Sequence, residues 1–281
     1  IYRLNYAMKL SCTATAAFLF ATSINVQAHD FWLEPTAYRS QEPNSLALQF
    51  KVGHKEDTSH WNLAWDRIVA LRTYSFDGVT DMAASVVPKT SMLPGMAKTT
   101  KLPSGTHVIG FESYHATSTL KAKKFNQYAK EEGLTEVLAH REARGQNDIA
   151  GKELYSRKAK TIVQVGDVVT NNVLKPIGHT LEIVPLEHPY KLAGNTLSVQ
   201  VLLKGKPLSN ALIDAYSLVD HSAKEQAVKT DSEGKATFKF DVEGPVILNT
   251  VWGVPLTNSS AADFETYFSS LTFEYFQSPT K

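Results

Sequence analysis

Apolar and polar positions alternate along much of the chain. Leu46–Val52 places an apolar residue at every second position, the period of a half-buried strand, and Arg67–Tyr74 and Gly105–Tyr114 follow the pattern less strictly, each with Gly, Pro or Asp turn signals nearby. The period changes after residue 120. Over 124–133 and 134–144, Phe125, Tyr128, Leu134, Val137 and Leu138 recur at helical spacing. Gly133 is placed to end the first helix and Thr135 to begin the second. These segments predict a helical hairpin within about 121–160, inserted in or packed on a β domain. Strand alternation then returns at Thr161–Val165 and Thr180–Pro185, and Pro185–Pro189 reads as a linker. Five further strands follow at Thr196–Leu203, Ala211–Tyr216, Ala236–Phe240, Val246–Trp252 and Ser270–Tyr275. The polar stretch His54–Asp66 predicts a long loop or a short helical turn.

The predicted fold class is therefore mainly β, with two β-sandwich domains and a helical hairpin on the first. The domains are expected at 29–185 and 186–281. The second is expected to be immunoglobulin-like, because five strands with short turns fit into some 90 residues. Gly205–Ala211 and Thr230–Phe238, which contain an Asp-x-x-Gly turn at Asp231–Gly234, are similar to the carboxypeptidase-regulatory or pre-albumin type of sandwich. That similarity implies a fold and no activity.

Composition matters most at the N-terminus. Met8-Lys9 opens a short apolar run from Leu10 to Ile24, and Val26-Gln27-Ala28 supplies the small-residue pattern of a secretory cleavage site. Residues 1–28 are thus expected to be a signal peptide, with 1–7 upstream of the true start at Met8. Cleavage after Ala28 predicts a periplasmic or secreted protein that begins at His29. It removes Arg3, Lys9 and no acid, leaving a net charge of −1 over 253 residues. This balance points away from nucleic acid as a partner. Cys12, the one cysteine, leaves with the signal, so no disulfide, thiolate metal site or catalytic cysteine is expected in the processed chain.

The histidines carry the candidate chemistry. A histidine at a free N-terminus offers an amine and an imidazole nitrogen to one metal ion. His29 is the first candidate ligand and His54, after Gly53, the second. His60 and His115 are further candidates, and Asp30 and Glu34 are expected to add an oxygen or orient a ring. Imidazole suits copper, nickel and zinc. His107 is expected to pack in its strand, His140 to face solvent, and His179, His188 and His221 to lie at the surface in turns. Glu153–Lys160 reads as a charged network anchoring the hairpin. Ser156 lies in no Gly-x-Ser-x-Gly elbow, and no catalytic motif is present, so an enzyme is not expected.

Several segments together resemble a known family. They are Ala28–Pro35, Val52-Gly53-His54, Lys124–Leu134, Glu153–Lys160, Leu181–Pro185, His188-Pro189-Tyr190, Thr230–Gly234 and Ser270–Phe273. In this order they are similar to the bacterial periplasmic family known as domain of unknown function 4198, whose members are often labelled nickel-uptake transporter components. The resemblance implies an accessory protein that binds Ni²⁺ or Co²⁺, with Cu²⁺ as a further possibility. It also implies an inner-membrane metal importer or an outer-membrane receptor as partner. His29 and His54 fall on the family's terminal-His and Gly-His motifs. Many members carry a histidine where this chain has Trp252, so another residue is needed to complete the ligand set. Two other readings remain open. One is an envelope adaptor or carbohydrate- or protein-binding module with Trp61 and Trp65 in its contact patch. The other is a copper redox protein with a terminal-histidine site.

Overall fold

The computed structural model describes residues 30–257 and 259–277. The expected signal peptide, its cleavage site and His29 lie outside them. The first half runs β1 (Asp30–Pro35), β2 (Arg39–Ser40), β3 (Ala47–His54), β4 (Asp57–His60), β5 (Ile68–Ser75), β6 (Gly78–Asp81), β7 (Met96–Lys98), β8 (Gly105–Ser113) and β9 (Ala116–Leu120). The helices α1 (Ala122–Glu131) and α2 (Thr135–Ala143) follow, and then the long strand β10 (Gly151–Val165). The second half holds β11 (Leu181–Pro185), β12 (Thr196–Leu203), β13 (Lys206–Pro207), β14 (Leu212–Ser217), β15 (Gln226–Lys229), β16 (Lys235–Lys239), β17 (Gly244–Pro255) and β18 (Phe264–Tyr275).

The described strands form three layers. A ten-stranded central sheet has the order β15-β14-β17-β18-β10-β8-β5-β6, with β2 and β9 also paired to β10. A sheet of β1, β3, β4 and β7 packs on one face, where Phe31, Leu33 and Phe50 meet Ala159 and Val163 of β10. A sheet of β11, β12, β13 and β16 packs on the other face, where Leu197 and Val199 meet Ile162, Leu248 and Leu271. The chain is mainly β, as its alternation predicts, and its two sandwiches share the middle sheet. That sheet takes strands from both sides of residue 185, because β10 and β18 pair in parallel from Glu153↔Phe264 to Thr161↔Thr272.

Glu153–Lys160, expected to be a charged network anchoring the hairpin, lies within β10, and its Glu153 accepts from the Tyr128 hydroxyl of α1 at 3.3 Å. Both faces of this strand are covered over most of its length, and its lysines at 158 and 160 find their partners inside. Lys160 pairs with Glu182 at 2.8 Å, and Lys158 Nζ donates to Ser156 Oγ at 2.6 Å and faces Glu112 at 3.3 Å. The expected linker is also built in. His188 Nδ1 accepts from the Tyr190 amide at 3.1 Å, and the Tyr190 hydroxyl donates to the Ile162 carbonyl at 2.8 Å.

The helical hairpin forms between β9 and β10. Phe125, Tyr128, Leu134 and Val137 pack on Val251, Phe264 and Phe268 of the central sheet, beside the first-layer sheet. The edge strand β1 is tied down from below: Ser270 Oγ donates to the Phe31 carbonyl at 2.6 Å and Thr272 Oγ1 to the Leu33 carbonyl at 2.9 Å. The first residue of β1 therefore sits where first-layer sheet, hairpin and central sheet converge.

Candidate functional site

Pairing of β1 with β3 sets Asp30 opposite Gly53 and next to His54. Gly53 has φ +144°, and a Cβ there would collide with the Asp57 carbonyl across the β3–β4 turn. Only glycine permits this close turn, and the turn fixes where His54 leaves the strand. This is the physical content of the Gly-His pair.

Asp30 is buried and engages three partners. Its Oδ2 accepts from the Tyr216 hydroxyl at 2.6 Å and lies 3.0 Å from His54 Nδ1. Its Oδ1 accepts from Asn249 Nδ2 at 2.6 Å. The His54 ring lies against Tyr216, with centroids 4.7 Å apart. His54 Nε2 is 3.3 Å from Glu225 Oε2, which Lys55 Nζ also reaches at 3.0 Å. The hydrogen bond to Asp30, followed by that to Glu225, raises the His54 pKa to about 10. The ring is thus an imidazolium at neutral pH, bridging two carboxylates. The same His54 contact holds Glu225 below the usual carboxylate range. Tyr216 is pushed far up by burial and by the Asp30 charge, so it serves as a donor.

Two further carboxyls complete the cluster. Asp214 on β14 is the cross-strand partner of Asn249, and burial with the charges of Glu225 and Asp30 raises it to about 7. Glu132 follows the last turn of α1, and burial with the charges of Asp30 and Asp214 raises it well above the usual range. Among the described residues, the Oδ1 of Asn249 is buried without a hydrogen-bond partner. Glu225, Glu132, Asp214, Tyr216 and Asn249 were not expected from the sequence. Two of them carry a local sign. Glu132 puts an acid at the negative end of a helix dipole, and Asp214 interrupts the apolar run of β14.

The other candidates lie elsewhere. His60 pairs with Lys51 in register, three residues along β3 from His54, or roughly 10 Å at strand rise. Burial and the Lys51 charge lower its pKa. His115, at the β8–β9 corner, lies 3.0 Å from Glu265. Glu34 accepts from the Trp32 indole at 3.3 Å and faces Lys51 at 3.8 Å, so of the two acids named with His29 only Asp30 contacts His54. His179 and His188 are buried, against the expectation that their turns place them at the surface, because the adjoining loops fold onto the central sheet. His107 is buried as expected, held by Ser75 and the Pro103 carbonyl. Trp252 belongs to the core on the far face of the central sheet, so Asn249 is the β17 residue that joins the cluster. Among the described residues, no three His, Cys, Asp or Glu side chains converge closely enough to hold a metal unaided. His54 and Glu225 supply two donors, and Asp30 is covalently joined to His29.

Solved structures with similarity to this chain include the D0-D1 domain of intimin, at 14% identity, covering 88% of this chain and 98% of that one with a TM-score of 0.22. A two-domain fibronectin type-III segment of chicken tenascin is 12% identical, covering 86% and 97% with a TM-score of 0.23. The fibronectin(III)-like modules of Clostridium thermocellum CbhA are 10% identical, covering 89% and 96% with a TM-score of 0.20. Superpositions this loose carry no argument about the site. No curated protein matches the chain. The family model described as "Domain of unknown function (DUF4198)" matches residues 26–253, which takes in β1, the Gly53-His54 turn, the hairpin, β10 and most of β17. The chain belongs to the DUF4198 family.

Proposed function

We propose that this protein captures a divalent transition metal of the nickel or cobalt type in the bacterial periplasm, with copper as a competitor, and serves a membrane importer or receptor as an accessory. The observation that supports this reading is the 3.3 Å separation of His54 Nε2 and Glu225 Oε2, with Asp30 holding the other ring nitrogen at 3.0 Å. A carboxylate that fixes a histidine through its far nitrogen is the usual support of a metal-bound imidazole. Two ligand atoms on one ion stand about as far apart as His54 Nε2 and Glu225 Oε2 do. His29, one peptide bond before Asp30, adds an amine and an imidazole in the processed chain. Metal entry displaces the proton that His54 now shares with Glu225.

Isothermal titration of the chain beginning at His29 with Ni²⁺, Co²⁺ and Cu²⁺ tests the reading. Stoichiometric binding is expected, with a heat that varies with buffer because a proton is released. His54→Ala should abolish it. Equally tight binding by His54→Ala and Glu225→Gln would sink the proposed site.

A second reading, an envelope adaptor, draws on exposed apolar side chains. Trp65 is 52% exposed and Met92 89%, whereas Trp61 is buried in the first-layer core and offers no contact surface. Capture of an envelope protein by the metal-free chain, lost in Trp65→Ala, would favour it if no metal binds.

A further inference from the structure

Three neighbouring basic residues of β10 meet different surroundings. Lys158 faces Glu112 at 3.3 Å and Lys160 pairs with Glu182 at 2.8 Å. Arg157 points from the other face of the strand, and among the described residues no carboxylate forms an ion pair with it. Its Nε is buried without a hydrogen-bond partner. Glu153, whose carboxyl feels the Arg157 charge, is engaged by the side chains of Thr266, Tyr128 and Ser118. Residues 1–29, 258 and 278–281 contain no Asp or Glu, so no acidic side chain from those segments can serve instead. A guanidinium keeps its proton in a protein, so the site cannot be relieved by neutralisation.

What surrounds Arg157 is aromatic. Phe268 is its cross-strand partner on β18, Tyr155 precedes it on the same face of β10, Phe31 comes from β1, and Trp61 follows β4. The guanidinium carbon lies 4.8 Å from the Tyr155 ring centroid, 5.5 Å from Phe268, 5.8 Å from Phe31 and 5.9 Å from Trp61. The rings brace one another edge to face, Phe31 with Trp61 at 5.0 Å and Tyr155 with Phe268 at 6.0 Å. Ring faces attract the cation, but they are weak acceptors and leave its N–H donors without oxygen. Phe31, Trp61 and Phe268 are buried, whereas Arg157 and Tyr155 are half-buried. The box therefore opens beside Tyr155. There β10 leaves β9, which it pairs up to Tyr155, for β8, which it pairs from Ile162. Between the two, the Arg157 amide donates to the Ser113 hydroxyl at 2.8 Å.

The geometry points to an oxyanion-binding site on Arg157, taking the carboxylate of a small organic acid or a phosphate, with the Tyr155 ring beside the ligand. The guanidinium fork matches two oxygens of either group, and low-dielectric aromatic walls strengthen the attraction relative to a surface arginine. The anion does for Arg157 what Glu112 and Glu182 do for the lysines. None of the side chains assigned to the metal takes part, so the two readings stand or fall separately.

Phenylglyoxal labelling of arginines in the wild-type protein, read by peptide mass spectrometry with a chelator present, tests the site. The probes are sodium acetate, sodium benzoate and inorganic phosphate, with sodium chloride at matched ionic strength as reference. A probe at about 100 mM lies roughly a hundredfold above a Kd on the order of 1 mM and should slow Arg157 labelling at least about tenfold. Arg72, whose side chain is 47% exposed, should keep its rate. Protection by acetate and benzoate alone assigns the ligand as an organic acid, and protection by phosphate alone assigns a phosphate. An Arg157 that the reagent never reaches, or that no probe slows more than Arg72, overturns the inference. Titration calorimetry with the protecting probe gives a second measure. Arg157→Gln should abolish binding, and Arg157→Lys, which keeps the charge and loses the fork, should weaken it about tenfold. Undiminished binding by Arg157→Gln would also overturn the inference, and should the variants fail to fold, the wild-type labelling decides.

Discussion

Two clusters of charge in this molecule look alike in composition and differ in balance. Between the central and outer C-terminal sheets, Lys160 and Glu182 are 2% and 1% exposed and 2.8 Å apart. The remaining acceptor capacity of Glu182 is filled by the amides of Ile177, Gly178 and His179 at 2.7, 3.0 and 3.1 Å. Burial pushes the Glu182 carboxyl up, and the Lys160 ammonium, helped by the Ile177 amide, more than offsets it. Among the described residues, four carboxyls lie around Asp30 with His54 and Lys55 as their cations and the His54 side chain is 43% exposed, while each cluster keeps one buried atom without a partner, Asn249 Oδ1 here and His179 Nδ1 there. Burial of charge therefore does not by itself mark a functional site. A buried pair with balanced charge holds strands together, whereas a half-exposed one with surplus carboxyls is open to a further group.

The largest expected effect tests the balanced pair. Glu182→Gln leaves the Lys160 ammonium buried without a counter-ion and should cost about 3–5 kcal/mol, read from urea melts. Lys160→Met with Glu182→Leu removes both charges and should recover most of the loss. A cost below about 1 kcal/mol for Glu182→Gln would mean that the pair is not a structural unit, and the contrast would fail.

Acid should separate the clusters next. His179 is held down to about 3 by burial above all, with Glu182 opposing and Lys160 and Lys158 adding. An unfolded histidine titrates near 6.5. Below that pH the unfolded chain takes up a proton that folded His179 refuses, so stability falls as pH drops from about 6.5 towards 3. By pH 4 the loss amounts to about 3 kcal/mol. His54 has the opposite sign. Its pKa is raised to about 10, so its contribution is complete below about 6.5 and is lost as pH rises through about 10. Exposure keeps that contribution small. Urea melts from pH 4 to 10 should show His179→Asn flattening the acid limb and His54→Asn the alkaline one. An acid limb unchanged in His179→Asn would refute the assignment.

The sequence announces one cluster better than the other. Alternation locates Leu46–Val52 and Gly105–Tyr114 within a residue or two of β3 and β8, and the helical period locates α1 and α2. Asp231-Ser-Glu-Gly234 is legible because the turn needs a positive φ, which Gly234 supplies at +74° while Asp231 Oδ1 accepts two amides. β1 is not legible as a strand, because Phe31, Trp32 and Leu33 are all buried and leave no alternation. β10 is disguised by lysines whose partners are tens of residues away. In the open cluster, Asp30 and His54 were legible as neighbours of His29 and of Gly53. Glu132, Asp214, Glu225 and Asn249 join Asp30 from 102 to 219 residues downstream, through a sheet order that no local pattern encodes.

The smallest effect tests the open cluster without dismantling it. Asp30→Asn preserves size and leaves an oxygen for a single donor, but removes the charge that holds His54 Nδ1 at 3.0 Å and accepts from Tyr216 and Asn249. The amide can still hydrogen-bond but no longer fixes the ring by charge, so Ni²⁺ affinity should fall about 10–100-fold, or about 1.4–2.7 kcal/mol. Lys160→Met/Glu182→Leu, whose sites lie on the far face of the central sheet, should bind with wild-type affinity. Titration calorimetry on the two variants side by side compares the clusters directly. Equal losses in both would show that affinity follows global stability, and unchanged affinity in Asp30→Asn would show that its carboxylate does not position His54 for a metal.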